Sequence, residues 1–267
     1  MAHPSSSIIF LPGAGGETPN LGGFSIGDEE GTAFKYVSYP GWQKYALEEF
    51  TPEALITDLE AQIQSRIPQG PIRIVGYSMG GHFGYAAALR LEAAGREIAG
   101  FCAIDSFMIE SLEPSAGWRT RALSEGLEHL RKGRLREFNR FIRSKFWRAL
   151  LRLASHQVPS LLDRISLLER LSPIVAFDRV FEAELTLHLL LRKVTPWVQS
   201  LDQNPVALEA PATLLRTREN SQYDMLWRRR CPSIEIVEVP GQHTALFNPE
   251  NTASLRDAFV AATRNWS

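Results

Sequence analysis

The stretch Gly76-Tyr77-Ser78-Met79-Gly80 places one serine between glycines in the pattern G-x-S-x-G. Before it, Ile-Arg-Ile-Val has three β-branched apolar residues and an arginine, which predicts a strand, and the alanine- and leucine-rich run after it predicts a helix. At a sharp strand-to-helix turn, a serine projects its hydroxyl from the carboxyl edge of a sheet and can act as a nucleophile. The alternative is an ordinary glycine-rich turn without chemistry. The strand and helix predicted on either side favour the catalytic interpretation.

A serine hydroxyl is a poor nucleophile unless a base removes its proton. His243 follows the last predicted strand, in the loop Gly-Gln-His-Thr-Ala before the final predicted helix. In the chain order Ser, Asp, His, this is where the base belongs, and the alternative is a loop histidine without a role. The other histidines are predicted to be terminal, constrained by the helix after Ser78, or packing and surface residues: His3, His82, His129, His156 and His188.

The third member of such a site is a carboxylate that orients the imidazole. Two regions compete for this role. Asp105 ends the apolar run Phe-Cys-Ala-Ile-Asp, whereas Glu219 and Asp224 follow the penultimate predicted strand. Because a carboxylate that ends an apolar strand is costly to bury without a partner, Asp105 is favoured over Glu219. The alternative for Asp105 is a turn or helix cap.

An oxyanion that forms at the serine needs two amide donors. The N–H of Met79, directly after the nucleophile, is the first candidate. The second is the N–H of Gly13 or Ala14, in the glycine-rich loop Phe-Leu-Pro-Gly-Ala-Gly-Gly after the first predicted strand. This loop lacks the lysine of a phosphate-binding loop and does not match G-x-G-x-x-G, so nucleotide binding is disfavoured.

Short apolar segments alternate with helical patterns along most of the chain. The continuous apolarity of the segments is typical of strands buried on both faces of a parallel sheet. The sequence therefore predicts an α/β fold, a mostly parallel central sheet flanked by helices. Thr51 and Pro52 are predicted to cap the first helix. The predicted strands are 7–12, 34–40, 72–78, 98–105, 212–217 and 234–241, and the predicted helices are about 51–66, 80–95 and 248–264.

The alternation stops between residues 108 and 208. Apolar residues there recur at helical spacing, which predicts a helical lid insertion with a second apolar helix at about 176–195. The sequence thus predicts one domain over residues 1–267, with a core of 7–107 and 210–264. Residues 119–152 carry eleven Lys or Arg against three Glu. The residues that carry the periodicity are Leu127, Leu130, Phe138, Phe141, Ile142 and Leu150.

Composition excludes several classes of protein. The 267 residues have a net charge of -1, so no overall field attracts nucleic acid or an anionic membrane. No apolar run reaches the roughly 18–20 residues of a membrane span. The two cysteines, Cys102 and Cys231, give neither a disulfide framework nor a metal spacing. A soluble protein of a reducing, cytoplasmic compartment is expected.

These motifs together resemble a known family, the thioesterase domains of nonribosomal peptide, polyketide and fatty acid synthases within the α/β-hydrolase superfamily. The resemblance rests on Leu-Pro-Gly-Ala-Gly-Gly near the start, Tyr-Pro-Gly at 39–41, the segment 76–106, and the segment 241–251. It covers the predicted core but not the insertion. The sequence departs from the family at Phe-Leu-Pro, where many members have His-Pro before the glycines, so Gly13 and Ala14 both stay open as the second donor.

The resemblance implies a mechanism and a set of partners. Ser78 would be the nucleophile, His243 the base and Asp105 the acid of a thioesterase that receives an acyl or peptidyl chain from the phosphopantetheine arm of a carrier protein. An acyl-serine would then be released by water or by cyclisation. The implied partners are a carrier protein or upstream synthase modules and a small acyl substrate, without a metal or redox cofactor.

Alternative functions remain open at this stage. The chain is also consistent with a stand-alone editing thioesterase, with a carboxylesterase or lipase on the same fold, and with a non-catalytic binding module. The basic stretch 119–152 is either a solvated helix face or a surface that steers an acidic carrier protein.

Overall fold

The computed structural model describes residues 7–16, 18–26, 32–108, 123–124, 126–127, 130–131, 133–153 and 179–266. By their internal packing, these residues form two compact units. The first is drawn from Met1–Tyr39, Thr51–Met108 and Pro196–Ser267, and the second from Pro40–Phe50 and Ile109–Thr195. Compared with the predicted core and insertion, these boundaries place residues 40–50 in the second unit and residues 196–208 in the unit that contains the sheet. The division into a core and an insertion at 108–208 stays a prediction.

A six-stranded sheet forms the centre of the first unit, with the strand order β2-β1-β3-β4-β5-β6 and every neighbouring pair parallel. The predicted α/β fold with a mostly parallel sheet is thereby confirmed, and each predicted strand is present, beginning within one residue of its predicted start and ending one to four residues before its predicted end. The strands are β1 Ser7–Leu11, β2 Ala33–Tyr36, β3 Ile72–Tyr77, β4 Ile98–Ile104, β5 Ala212–Arg216 and β6 Glu235–Glu238.

The described helices occur in both units. Those of eight or more residues in the sheet unit match the predicted positions within two residues at each end. The helices are α1 Trp42–Ala46, α2 Pro52–Arg66, α3 Met79–Ala93, α4 Leu135–Leu153, α5 Arg179–Leu201, α6 Asp224–Arg230 and α7 Pro249–Ala262. Two short 3-10 segments, Arg218–Tyr223 and His243–Ala245, follow β5 and β6. The predicted cap of α2 is confirmed, because Thr51 Oγ1 accepts a hydrogen bond of 3.2 Å from the N–H of Ala54.

The central strands of the sheet, β1, β3, β4 and β5, are mostly buried, whereas the edge strands β2 and β6 are partly exposed. Every residue of β4 is buried, which explains the continuous apolar run from which that strand was predicted. On one face, Phe10 of β1 and Ile104 of β4 belong to a core cluster with Leu255 and Phe259 of α7. Since all strands are parallel, their carboxyl ends lie at one edge, and the loops that leave this edge hold the predicted site residues.

The second unit is helical where it is described. Glu184 of α5 accepts hydrogen bonds of 2.8 Å from both Nε and Nη2 of Arg148 on α4. The helical pattern predicted around 127–150 corresponds in part to α4, on which Leu151 is buried and Ile142 is 48% exposed. The helix predicted at 176–195 is longer than expected, since α5 continues through Pro196 to Leu201. Its predicted start at 176–178 lies outside the described residues.

Candidate active site

Ser78 lies at a tight turn between β3 and α3. Its backbone has φ 54° and ψ −122°, a conformation that costs a non-glycine residue of the order of 1–3 kcal/mol. The turn needs glycine on both sides. A Cβ at Gly76 would lie 2.2 Å from the carbonyl oxygen of Gly80, and one at Gly80 would lie 2.2 Å from that of Leu11. The strand and the helix can therefore approach each other closely enough to expose a serine between them.

The structure brings Asp105 and His243 together. Asp105 follows β4, is fully buried and also has a positive φ of 46°, while His243 opens the 3-10 segment after β6. The distance between His243 Nδ1 and Asp105 Oδ2 is 2.7 Å. Because a carboxylate only accepts hydrogen bonds, Nδ1 carries the proton, and Nε2 is left with a lone pair. This is the tautomer that a general base requires.

The other two candidate carboxylates have different partners. Glu219 is exposed, and its Oε1 accepts a hydrogen bond of 3.1 Å from the backbone N–H of His243 rather than from the imidazole. Asp224 accepts a hydrogen bond of 3.0 Å from Nε of Arg216. The geometry thus separates Asp105, which contacts the ring, from Glu219, which contacts only the main chain of the same histidine.

Asp105 is held by two residues that sequence reasoning missed. Thr217 donates to Oδ1 from its backbone N–H at 2.7 Å and from its hydroxyl at 2.9 Å. Asn220 Nδ2 donates to Oδ2 at 2.9 Å. Burial alone would raise the pKa of Asp105, but the hydrogen bonds from His243, Thr217 and Asn220 hold it below its ordinary value. The available signal was their position directly after β5, at the same edge of the sheet.

The turn that carries Ser78 contacts the loop that carries His243 through Tyr77. Tyr77 immediately precedes the serine, and its hydroxyl donates a hydrogen bond of 2.7 Å to the backbone carbonyl of His243. The loops that carry the predicted nucleophile and the predicted base are therefore in direct contact. That Ser78, Asp105 and His243 act together as a catalytic triad stays a prediction.

The predicted oxyanion donors lie beside the serine. Met79 is the first residue of α3, so its N–H has no acceptor within the helix. Gly13 lies in the loop after β1, where a Cβ would come within 3.4 Å of Ser78 Cβ. Its carbonyl oxygen accepts a 2.9 Å hydrogen bond from the N–H of Gly16, which closes a turn around Ala14. The choice between Gly13 and Ala14 stays open.

The remaining described histidines have other partners. His82 is fully buried, and its Nδ1 lies 2.7 Å from Nη1 of Arg230. Since arginine only donates, Nδ1 accepts, and the Nε2–H donates to the carbonyl of Phe107 at 3.1 Å. Burial and the Arg230 charge lower the pKa of His82 to about 3. His188 is partly buried, and burial lowers its pKa, followed by the charges of Arg192 and Arg152. The other histidines, His3, His129 and His156, lie outside the described residues.

Within the described part of the chain, no group of three His, Cys, Asp or Glu side chains is arranged to hold a metal ion. Among the same residues, no helix combines the length and the apolarity needed to cross a membrane. That the chain works without a cofactor stays a prediction.

A parallel sheet with a serine at the turn after β3 and an Asp–His pair from later strands defines the class of protein as an α/β hydrolase. The sequence model of the family described as "Thioesterase domain" matches residues 31–260. The chain belongs to the thioesterase-domain family, which implies a hydrolase.

Solved structures of thioesterase domains share this fold. The NocB thioesterase domain, in covalent complex with a fluorophosphonate nocardicin G analog, is 17% identical with a TM-score of 0.60, over 98% of this chain and 95% of that chain. The Vlm2 thioesterase domain bound with a dodecadepsipeptide is 17% identical with a TM-score of 0.55, over 96% of each chain. Human thioesterase 2 is 16% identical with a TM-score of 0.53, over 99% of this chain and 98% of that chain. A search of curated protein sequences found no match.

Proposed function

We propose that the chain is a thioesterase that releases an acyl, polyketide or peptidyl chain from the phosphopantetheine thioester of a carrier protein, through an acyl-serine at Ser78. The observation that carries the proposal is the 2.7 Å hydrogen bond between buried Asp105 and His243, at the sheet edge where Ser78 occupies its strained turn. The family to which the chain belongs supplies the thioester as the bond to be broken.

The first half-reaction forms the acyl-enzyme. His243 Nε2 takes the proton of Ser78 as the serine oxygen attacks the thioester carbonyl. The negative charge that develops on the carbonyl oxygen is stabilised by the N–H of Met79 and by that of Gly13 or Ala14. Asp105 stabilises the imidazolium through the Nδ1 hydrogen bond. The carbon–sulfur bond then breaks, His243 gives the proton to the departing sulfur, and the pantetheine arm leaves as a thiol.

The second half-reaction frees the chain. His243 removes a proton from water, or from a hydroxyl or amine within the acyl chain, and the resulting nucleophile attacks the acyl-serine carbonyl. Collapse of the second tetrahedral intermediate breaks the ester bond and returns the proton to Ser78. Water gives a free acid, and an internal nucleophile gives a ring.

Three solved structures support a synthase context for this proposal. NocB is described from a nocardicin cluster, and the Vlm2 domain was captured with a depsipeptide. AB3403 is a four-domain nonribosomal peptide synthetase, of which this chain covers 19%, at 17% identity and a TM-score of 0.59. We therefore propose a carrier protein or upstream synthase modules as the partner.

The test combines an active-site label with a substrate panel. A fluorophosphonate probe is expected to add one phosphonyl group to the wild-type chain, seen by intact-protein mass spectrometry, and none to Ser78→Ala. Acyl chains offered on a carrier protein are expected to acylate Ser78 and to be released. An unlabelled but folded wild-type chain contradicts the serine mechanism. Labelling with a clear preference for oxygen esters over matched thioesters indicates a carboxylesterase instead.

A further inference from the structure

Tyr77 occupies the variable position directly before the serine of the G-x-S-x-G turn. Its ring stacks on the imidazole of His243, with the ring centroids 5.0 Å apart and the planes 17° from parallel. Its hydroxyl donates the 2.7 Å hydrogen bond to the carbonyl of His243 already described. One side chain therefore contacts both the ring and the backbone of the proposed base.

The same aromatic ring also reaches two further segments of the site. A Cβ at Gly13 would lie 3.3 Å from Cδ1 of Tyr77, so the loop after β1 packs closely against it. Phe247, four residues after His243, meets Tyr77 edge-on with centroids 5.0 Å apart. Tyr77 thus joins the nucleophile turn, the oxyanion loop and the loop of the base.

The remaining contacts of His243 leave a degree of freedom that Tyr77 removes. The hydrogen bond to Asp105 fixes the direction of Nδ1, but a ring held at one atom can still tilt about that bond. Phe107 touches the imidazole with a T-shaped contact at 4.8 Å, and the other backbone contact goes to exposed Glu219. A face-to-face stack sets the plane of the imidazole, and the plane sets where Nε2 points.

We infer that Tyr77 is a positioning residue for the reaction proposed above: it fixes the plane of the His243 imidazole and the place of the Gly13 loop relative to Ser78. The inference rests on the proposed function. Tyr77 acts through His243, so its effect falls on kcat rather than on substrate binding.

The test compares two substitutions with a matched control. Tyr77→Phe keeps the stack and loses the hydroxyl, and we expect kcat to fall about fivefold, as for one net hydrogen bond. Tyr77→Leu loses both contacts, and we expect kcat to fall about 10²-fold, since small misplacements of catalytic groups cost that much. KM is expected to stay within about twofold in both variants, because the contacts that bind the substrate and the transition state equally well are unchanged. The ratio of kcat in Tyr77→Phe to kcat in Tyr77→Leu measures the contribution of the ring stack alone.

The control is Tyr85→Phe. The hydroxyl of Tyr85 also donates to a backbone carbonyl, that of Val206, and the ring lies in the body of α3. This variant is expected to keep the wild-type kcat even where it unfolds at a lower temperature. An equal loss of kcat in Tyr85→Phe and Tyr77→Phe contradicts a positioning role.

A second readout does not depend on turnover. The Nδ1 proton of His243 gives a far-downfield proton resonance, assigned by its disappearance in His243→Gln. We expect Tyr77→Leu to broaden this resonance and Tyr85→Phe to leave it sharp. If the resonance and kcat are both unchanged in Tyr77→Leu, the inference is wrong. If the wild-type chain turns over no thioester, the proposed function fails, and a broadened resonance in Tyr77→Leu still supports the positioning of His243.

Discussion

Two carboxylates in the sheet unit, one fully buried and one slightly exposed, have pKa values that are shifted in opposite directions. Asp105 is fully buried and receives hydrogen bonds on both oxygens, which hold its pKa below the ordinary value. The side chain of Asp202 is 10% exposed and pairs with Arg230, yet burial raises its pKa despite the arginine. Nε and Nη2 of Arg230 approach the same oxygen, Oδ1, at 2.9 and 2.8 Å. The other oxygen, Oδ2, is buried without a hydrogen-bond partner among the described residues.

The difference shows that the number and direction of donors matter more than a formal opposite charge. Asp105 is held by Thr217, Asn220 and His243. Their hydrogen bonds keep the carboxylate ionised and also fix its orientation. Asp202 and Arg230 form an ion pair, and the other hydrogen bonds of Arg230 go to His82 and to the carbonyl of Val198. We therefore expect changes at Asp105 to reduce activity and changes at Asp202 to reduce stability.

The largest expected effect is on activity at Asp105. Asp105→Asn cannot stabilise the imidazolium and favours the wrong tautomer of His243, so we expect kcat to fall about 10⁴-fold. The matched control is Glu219→Gln, which keeps an acceptor for the backbone N–H of His243 and is expected to stay within about threefold of wild type, as for a contact at an exposed site. Steady-state kinetics with an acyl-thioester measures both. A larger loss in the glutamine variant would make Glu219 the acid.

At Asp202 the expected effect is on stability. Asp202→Asn leaves the fully buried Arg230 without its counter-charge, and breaking a buried pair costs about 3–5 kcal/mol. Urea unfolding at neutral pH measures the free energy. Fluorophosphonate labelling of the folded fraction is expected to proceed at the wild-type rate. A stable but unlabelled Asp202→Asn variant would contradict the separation of the two carboxylates.

His82, which lies beside Arg230, is expected to lower the free energy of unfolding at acidic pH. The folded state binds a proton at His82 only near its pKa of about 3, whereas the unfolded chain binds one near 6.5. The unfolded state therefore holds more protons between these values, and stability falls as pH decreases through this window. The loss is at most about 3 kcal/mol between pH 6.5 and pH 4. Asparagine cannot titrate, so in His82→Asn the free energy of unfolding, measured with urea at a series of pH values, is expected to depend less on pH in this window. An unchanged dependence on pH would contradict the prediction.

A smaller effect is expected at Thr217. Thr217→Val removes one hydrogen bond to the Asp105 carboxylate and keeps the backbone N–H, so we expect a loss in kcat of about tenfold, as for a bond to a charged group. The backbone N–H of Thr217, which helps to hold the pKa of Asp105 below its ordinary value, stays in place in this variant, so the loss is expected at every pH. Thr217→Ser keeps the hydroxyl and is expected to keep the wild-type kcat. Equal kcat values for the valine and serine variants would contradict a role for the Thr217 hydroxyl.

Local patterns were sufficient to predict most of the fold. Short apolar runs gave the six strands, and the turn around Ser78 followed from its glycines and its flanking elements. The order of the strands was not predictable, because it depends on which distant runs pair. The extension of α5 through Pro196 was missed because a proline ordinarily marks the end of a helical pattern.

The candidate site was predictable where a residue follows a predicted strand in the chain order of a triad, as Asp105 does after β4 and His243 does in the loop after β6. Thr217 and Asn220 were not identified, because their contact with Asp105 depends on the pairing of β4 with β5. Sequence reasoning favoured Asp105 over Glu219, and the coordinates add that Asp105 contacts the imidazole of His243 whereas Glu219 contacts its backbone N–H. The contact between His82 and Arg230 spans 148 residues, so no local pattern indicated it.

The partners of Asp105 have a consequence for the order in which the molecule folds. Thr217, Asn220 and His243 lie 112, 115 and 138 residues further along the chain. Contacts between such distant segments form late, because the intervening chain must first be brought together. During synthesis, the aspartate emerges long before anything that can satisfy it. We therefore expect catalytic activity to appear abruptly at the end of refolding, after the helices and most of the sheet have formed.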